Sequence, residues 1–236
     1  MGGRAPGPAQ GVRSNLPQCW RTWRLGLFGE CCAGLNNAAF LSLGAVYAQR
    51  VGLDIEQTSF FMGSVLLGGL LMQWPVGRLS DRIDRRWVLV VVGLAASAAS
   101  VGLVVAGGGA LIYLAAAIYG GCCFTVYSVC VAHTNDFADP STRVQTASGL
   151  LMAYSTGAII GPILVGVLMN VYEARVFFLY TAVVLGFLGL FALFRMTRRS
   201  TRSPEQRTAA INLPGGAYTA GELYKAVDET IDDTDK

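Results

Sequence analysis

Between Leu25 and Phe194 the sequence divides into six apolar runs of about membrane-crossing length, and the short segments between them hold most of the charge found in that region. A helix needs about 20 apolar residues to cross ~30 Å of hydrocarbon, so this spacing predicts six transmembrane helices. The predicted spans are Leu25 to Ala48, Thr58 to Val76, Trp87 to Ala106, Ala110 to Ala132, Val144 to Asn170 and Arg175 to Phe194. The connecting segments QRVGLDIEQ, GRLSDRIDRR, GGG, HTNDFADPSTR and VYEA carry breakers or charges, and none is long enough to fold alone. The expected class is therefore an all-α integral membrane six-helix bundle. It spans residues 25–194, between an N-terminal segment 1–24 and a tail 195–236.

Composition agrees with that class. With 53% apolar and only 14% charged residues among 236, the chain is neither disordered nor a disulfide scaffold. The net charge of +3 comes from terminal and loop arginines rather than a basic face, which argues against nucleic acid as a partner. Cys31-Cys32 and Cys122-Cys123 are adjacent pairs, with Cys19 and Cys130 alone. No zinc or redox spacing arises, and all six read as small buried residues. The first span follows four arginines, and Val46-Tyr47-Ala48 resembles a cleavage site, but its length and its polar residues Glu30, Asn36 and Asn37 do not fit a secretory signal. Pro6 in MGGRAP stands where a myristoylation signal wants Ser or Thr.

Basic residues mark the cytoplasmic side of short loops. All but Arg50 and Arg175 of the eighteen fall on one side of the predicted topology, which puts both termini in the cytoplasm. After Arg195 the tail begins basic and ends acidic, with Pro204, Pro214, Gly215 and Gly216 between, and reads as mostly disordered. Its first arginines would anchor the topology against anionic lipid.

Between the second and third spans stands Gly77-Arg78-Leu79-Ser80-Asp81-Arg82-Ile83-Asp84-Arg85-Arg86, followed by Leu89. A positive-inside loop explains the charge but not the order. Gly77, Leu79, Asp81, Arg82, Arg85 and Arg86 together resemble the cytoplasmic loop signature of the major facilitator superfamily. That family comprises twelve-helix secondary transporters built from two six-helix halves. The sequence departs from the pattern at Asp84, where glycine is usual, so a turn needing positive φ would be strained there. The fifth span, with Gly157 and Gly161-Pro162, is similar to the family's fifth helix in a half. The glycines clear a strip for close helix approach, and the proline permits bending.

The fourth span lacks the arginine typical of the family's N-terminal half. QWPVGRLSDRIDRR, VAHTNDF and GAIIGP resemble the C-terminal half of a group of bacterial permeases. An N-terminal half or a natural half-size protein is the alternative. The resemblance implies a multi-pass protein of a bacterial plasma membrane whose partners are the lipid bilayer, a small-molecule substrate, and a second six-helix half or a parallel homodimer. It implies no cofactor.

Candidate site residues follow. Glu30 lies about five residues, or ~8 Å, inside the first span. A carboxylate at that depth needs water, a partner or a proton, which makes Glu30 the proton-coupling candidate, with pairing or snorkelling toward Arg24 as the plain alternative. If the family's first and fourth helices line the cavity, then Asn36, Asn37, Tyr119, Thr125, Tyr127 and Ser128 are the substrate candidates, with hydrogen bonding between helices as the plain role of the two asparagines and the interfacial belt that of tyrosines at the ends of the fourth span. A neutral or aromatic-stacking solute would fit such a wall. His133 with Asn135 and Asp136 lacks a metal ligand set, so capping or gate contacts are expected of them. No catalytic triad, phosphate-binding glycine loop or ATP fingerprint is present, so an enzyme or ATP-driven pump finds no support. The reading is alternating-access transport of a small organic solute, possible proton coupling being carried by Glu30. The alternative is a truncated or non-transporting membrane module that pairs with another half.

Overall fold

The computed structural model describes residues 16–106, 109–136 and 143–198, and every regular element among them is an α-helix. In chain order these are α1 (Leu16–Arg50), α2 (Ile55–Arg82), α3 (Arg85–Val105), α4 (Ala110–Asn135), α5 (Arg143–Val171) and α6 (Val176–Arg198). Each contains a stretch of 21 to 28 residues long and apolar enough to cross a membrane. At 1.5 Å per residue these stretches reach roughly 32 to 42 Å, beyond the hydrocarbon thickness.

At two places the helices run past the predicted spans. The first helix begins at Leu16, inside the N-terminal segment 1–24, while its apolar stretch begins at Leu25. The second starts at Ile55 and continues through Pro75 to Arg82, so most of the charged signature is helix and only Ile83 and Asp84 connect α2 to α3. Charge marks where the chain leaves hydrocarbon, not where its backbone stops coiling. Six further residues add only ~9 Å of helix. The early start of α2 has a local cause. Asp54 Oδ1 accepts from the Gln57 backbone N–H at 2.8 Å and Gln57 Oε1 accepts from the Asp54 N–H at 3.2 Å, a capping box.

The strain expected at Asp84 is absent. Its backbone is extended, with φ −63° and ψ 120°, and its carboxylate caps α3 by accepting from the Arg86 N–H at 3.0 Å. Among the described residues only glycines, Gly52 and Gly109, have positive φ. Aspartate here serves as an N-cap, so glycine's conformational freedom is not needed.

The helices pack in three principal pairs, α1 with α5, α2 with α4 and α3 with α6. Water does not drive association between helices inside a membrane, so close van der Waals packing must, and small residues permit it. A Cβ at Gly161 would overlap the Leu35 carbonyl, and one at Gly157 the Cys31 carbonyl, while Gly34 of α1 is pressed on Tyr154 of α5. Gly68 and Gly120 seam α2 to α4 in the same way, against the Ala117 and Val65 carbonyls. Pro162 lies inside α5 without ending it. At one end of the bundle Arg50 Nη1 donates to the Met169 carbonyl at 2.6 Å, tying the end of α1 to the end of α5.

Burial is uneven. In their apolar stretches α1 and α4 are 56% buried and α3 and α6 50%, whereas α2 and α5 are only 22% buried. The core lies around α1 and α4 and includes an aromatic knot in which Phe178 meets Tyr47 at 4.7 Å and Tyr119 at 5.1 Å between ring centroids. If the first and fourth helices line a cavity, a half lying alone would be expected to bare a face of them, and the structure differs. Asn36 is fully buried and Asn37 nearly so, and the bare apolar faces belong to α2 and α5. Of the cysteines, Cys32, Cys122, Cys123 and Cys130 are buried and Cys31 half-buried, all as free thiols, while Cys19 and the tail from residue 199 lie outside the residues whose surroundings are described.

Candidate functional site

A groove of about 500 Å³ runs between α2, α4 and α5, with Asn37 of α1 at its floor. One wall comes from Leu66, Leu70 and Gln73 of α2, the other from Phe124, Tyr127 and Ser128 of α4. Leu151 and Tyr154 of α5 close the third side, where Tyr154 meets Tyr127 edge-on at 5.2 Å. Gly69 lets Phe124 lie close along α2. A smaller cavity of about 190 Å³ adjoins, sharing Gln73 and Ser128 and reaching Thr125, Ser80, Asp81 and Arg85.

Three predicted substrate residues, Asn37, Tyr127 and Ser128, therefore share one groove, and Thr125 borders the adjoining cavity. Asn36 and Tyr119 are not brought there. Asn36 turns inward and donates from Nδ2 to the Cys32 carbonyl at 2.7 Å, and Tyr119 is enclosed in the aromatic knot. The Asn37 carboxamide oxygen accepts from the Cys123 thiol at 3.4 Å, and that thiol lies 3.6 Å from the Tyr119 hydroxyl. Gln73, Phe124 and Tyr154 are groove residues that the sequence reading missed. Gln73 had a signal, as the one amide side chain in the second apolar run.

Glu30 is fully buried, and neither carboxylate oxygen has a hydrogen-bond partner among the described residues. A fully buried carboxyl is not in the position of a side chain snorkelling to the surface. Gly29 packs on Cys130 and Gly26 on Thr134, which sets Glu30 at the level of Cys130 on α4, beside the groove wall rather than on it. Burying an ionised carboxylate without a partner is strongly unfavourable.

At the α2–α3 connection Arg85 joins two helices. Its Nε donates to Asp136 Oδ2 at 2.9 Å and its Nη2 lies 3.4 Å from Asp81 Oδ1. The Arg85 side chain is only 17% exposed whereas that of Asp81 is 72% exposed, so Asp81 is the weaker partner. Arg78 stacks over the Trp74 ring at 5.4 Å on the exposed face of α2. Arg85→Gln is expected to loosen the α2–α3 connection from α4 more than Asp81→Asn, whose cost to stability stays below about 1 kcal/mol. Thermal unfolding of both variants in the same detergent checks the order; equal losses would contradict it.

Residues 26–223 match the Major Facilitator Superfamily. The uncharacterized MFS-type transporter YcaD of Salmonella arizonae is 30% identical over 175 residues, which cover 74% of this chain and 45% of that protein. The protein of the same description from Escherichia fergusonii is 28% identical over 185 residues, covering 77% of this chain and 46% of its own length. The chain spans less than half the length of these curated relatives. Six membrane-length helices seamed by glycines, the charged signature at the end of α2 and a match over residues 26–223 lead to one conclusion: this chain is a multi-pass membrane protein and belongs to the Major Facilitator Superfamily.

Proposed function

We propose that this chain forms one half of a transporter that moves a small organic solute by alternating access, with the α2–α4–α5 groove as its share of the solute cavity. The observation that carries this is the arrangement around the groove. A polar floor lies between two helices whose apolar faces are bare, and the relatives have the length to supply a second set of helices. On α2 these bare residues include Leu67, Leu70 and Leu71, and on α5 Ile159, Ile163 and Val167. A second six-helix half lying on these faces would turn the open groove into an enclosed cavity near the midplane, and rocking of one half against the other would open it to either side.

In this reading the chain corresponds to the C-terminal half, both termini face the cytoplasm of a bacterial cell, and the membrane is the plasma membrane. Arg85, with Asp81 and Asp136, holds the cytoplasmic ends of α2 and α4 in one arrangement, and Gly157, Gly161 and Pro162 set how far α5 can shift on α1. Glu30 carries the coupled proton. The second reading is a module that does not transport by itself, paired with another half or with a parallel copy of itself. The bare faces direct such a copy to α2 and α5 rather than to α1 and α4.

Single cysteines in a chain whose native cysteines are replaced by alanine or serine test the pairing. Leu70→Cys and Ile163→Cys are expected to crosslink to a co-expressed second half, and Leu111→Cys, exposed on α4 away from the groove, is not. Crosslinking at Leu111 alone would overturn the assignment of faces. For topology, Glu173→Cys should react with an impermeant maleimide from outside the cell and Asp81→Cys should not; the reverse pattern would invert the orientation. Asp81 is a more informative labelling position than its neighbour Ser80, which is buried.

A further inference from the structure

The hydroxyl groups along these helices are mostly engaged with backbone. Ser59, Ser64, Ser100, Ser148 and Thr156 each donate to the carbonyl four residues earlier, and Ser97 reaches across to the Ala182 carbonyl. Such bonds are the usual way to satisfy a hydroxyl where water is scarce. The buried hydroxyls of Thr58, Ser80 and Tyr180 are exceptions. The groove gathers more of them in one place, for Ser128, Gln73 and the hydroxyls of Tyr127 and Tyr154 make no hydrogen bond among the described residues. With its oxygen occupied by Cys123, Asn37 has its N–H groups left over for the groove.

The groove thus gathers unengaged donors and acceptors against a wall of Leu66, Leu70, Phe124 and Leu151, and among the described residues no Asp, Glu, Lys or Arg lines it. Among the described residues the neighbouring carboxylates and guanidinium group lie outside its lining. Glu30 is fully buried beside the wall, and Asp81 and Arg85 border only the smaller cavity, where they pair with each other and with Asp136. A full charge brought into an apolar-walled groove without a counter-ion loses hydration that neutral amides and hydroxyls replace poorly. A neutral group that both donates and accepts is served by these side chains at both valences, and an aromatic body fits between Phe124 and the Tyr127–Tyr154 pair.

We propose that this groove selects an uncharged solute with an aromatic or similarly apolar body carrying a hydrogen-bonding group that both donates and accepts, such as a primary amide. Gln73 and Ser128 are its specificity-determining residues. The inference rests on reading the groove as a solute wall, and it adds the solute's charge class.

Three probes of nearly one shape separate the charge classes at pH 7: benzamide is neutral, benzoate an anion and benzylamine a cation. Equilibrium dialysis measures each against the full chain in lipid nanodiscs, with empty nanodiscs subtracted to remove partition into lipid. Benzamide is expected to bind at least tenfold more tightly than either ion, and the Gln73→Leu/Ser128→Val double variant to lose that preference. Both positions are exposed, so the variant keeps the packed core. Unfolding temperatures of variant and parent within a few degrees verify this. Binding of benzoate or benzylamine equal to or tighter than benzamide, retention of the preference in the double variant, or binding of none of the three would each overturn the proposal. The transport reading fails separately: a benzamide preference in a chain that supports no uptake with a second half would sink transport and leave the charge class standing.

Discussion

Leucine in place of Gly161 is expected to abolish the folded chain, whereas leucine in place of Gly63 is expected to leave it intact. A Cβ at Gly161 runs into the backbone of Leu35, and a backbone carbonyl in the middle of α1 cannot rotate aside as a side chain would. Overpacking a well-packed core usually costs about 1 to 3 kcal/mol. Here a whole isobutyl group must enter a helix contact repeated at Gly34 and Gly157, so the loss is expected to exceed about 3 kcal/mol. Gly63 sits in the middle of α2 with open space around it, and leucine there gains helix propensity of somewhat under about 1 kcal/mol. Size-exclusion profiles and thermal unfolding in one detergent compare the two. A monodisperse Gly161→Leu chain with parental unfolding temperature would show that α1 and α5 are not held by this contact.

The contrast between these glycines marks what the sequence could disclose. Six spans were legible because hydrocarbon thickness fixes the length of an apolar run and charges cannot remain inside it. The end of α2 was not legible, because Gly77 to Arg82 lie beyond the hydrocarbon, where polar side chains are welcome whether or not the backbone is helical. The capping roles of Asp54 and Asp84 were written in the residues that follow them, yet they read as loop charge until the backbone was in view. Gly157 and Gly161, spaced one turn apart, announced a close approach but not its partner, which is α1.

The site was legible only in part, for a related reason. Most of α4 is apolar on every side, so no polar stripe tells which of its tyrosines points inward. Tyr119 enters the aromatic knot and Tyr127, eight residues on, faces the groove. Asn36 and Asn37 are neighbours in sequence and therefore about 100° apart around α1; one bonds its own helix and the other floors the groove. The depth of Glu30 followed from counting residues, while its lack of any hydrogen-bond partner required the packed neighbours.

The second large expected effect belongs to Glu30. If its carboxyl carries the coupled proton, Glu30→Gln in a complete transporter removes accumulation driven by a pH gradient and leaves downhill uptake. For one proton per solute, a gradient of one pH unit is worth about 1.4 kcal/mol, or tenfold accumulation, and the variant is expected to show none. The amide cannot ionise and matches the carboxyl in size, so the packed site survives. The matching unfolding temperature of Glu30→Gln guards against a merely structural loss. Gradient-driven accumulation equal to the parent's would return Glu30 to a packing role.

The central claim is that this chain is one wall of a two-walled transporter, and uptake measured with and without the other wall tests it most directly. The 236-residue chain is reconstituted in liposomes at high dilution, alone and together with the separately expressed part of a YcaD-type relative that this chain does not match, and uptake of radiolabelled benzamide is followed against empty liposomes. The account predicts no uptake above the empty liposomes with either half alone and saturable uptake when both are present. Saturable uptake by the chain alone, at a dilution where it is monomeric, would contradict the account.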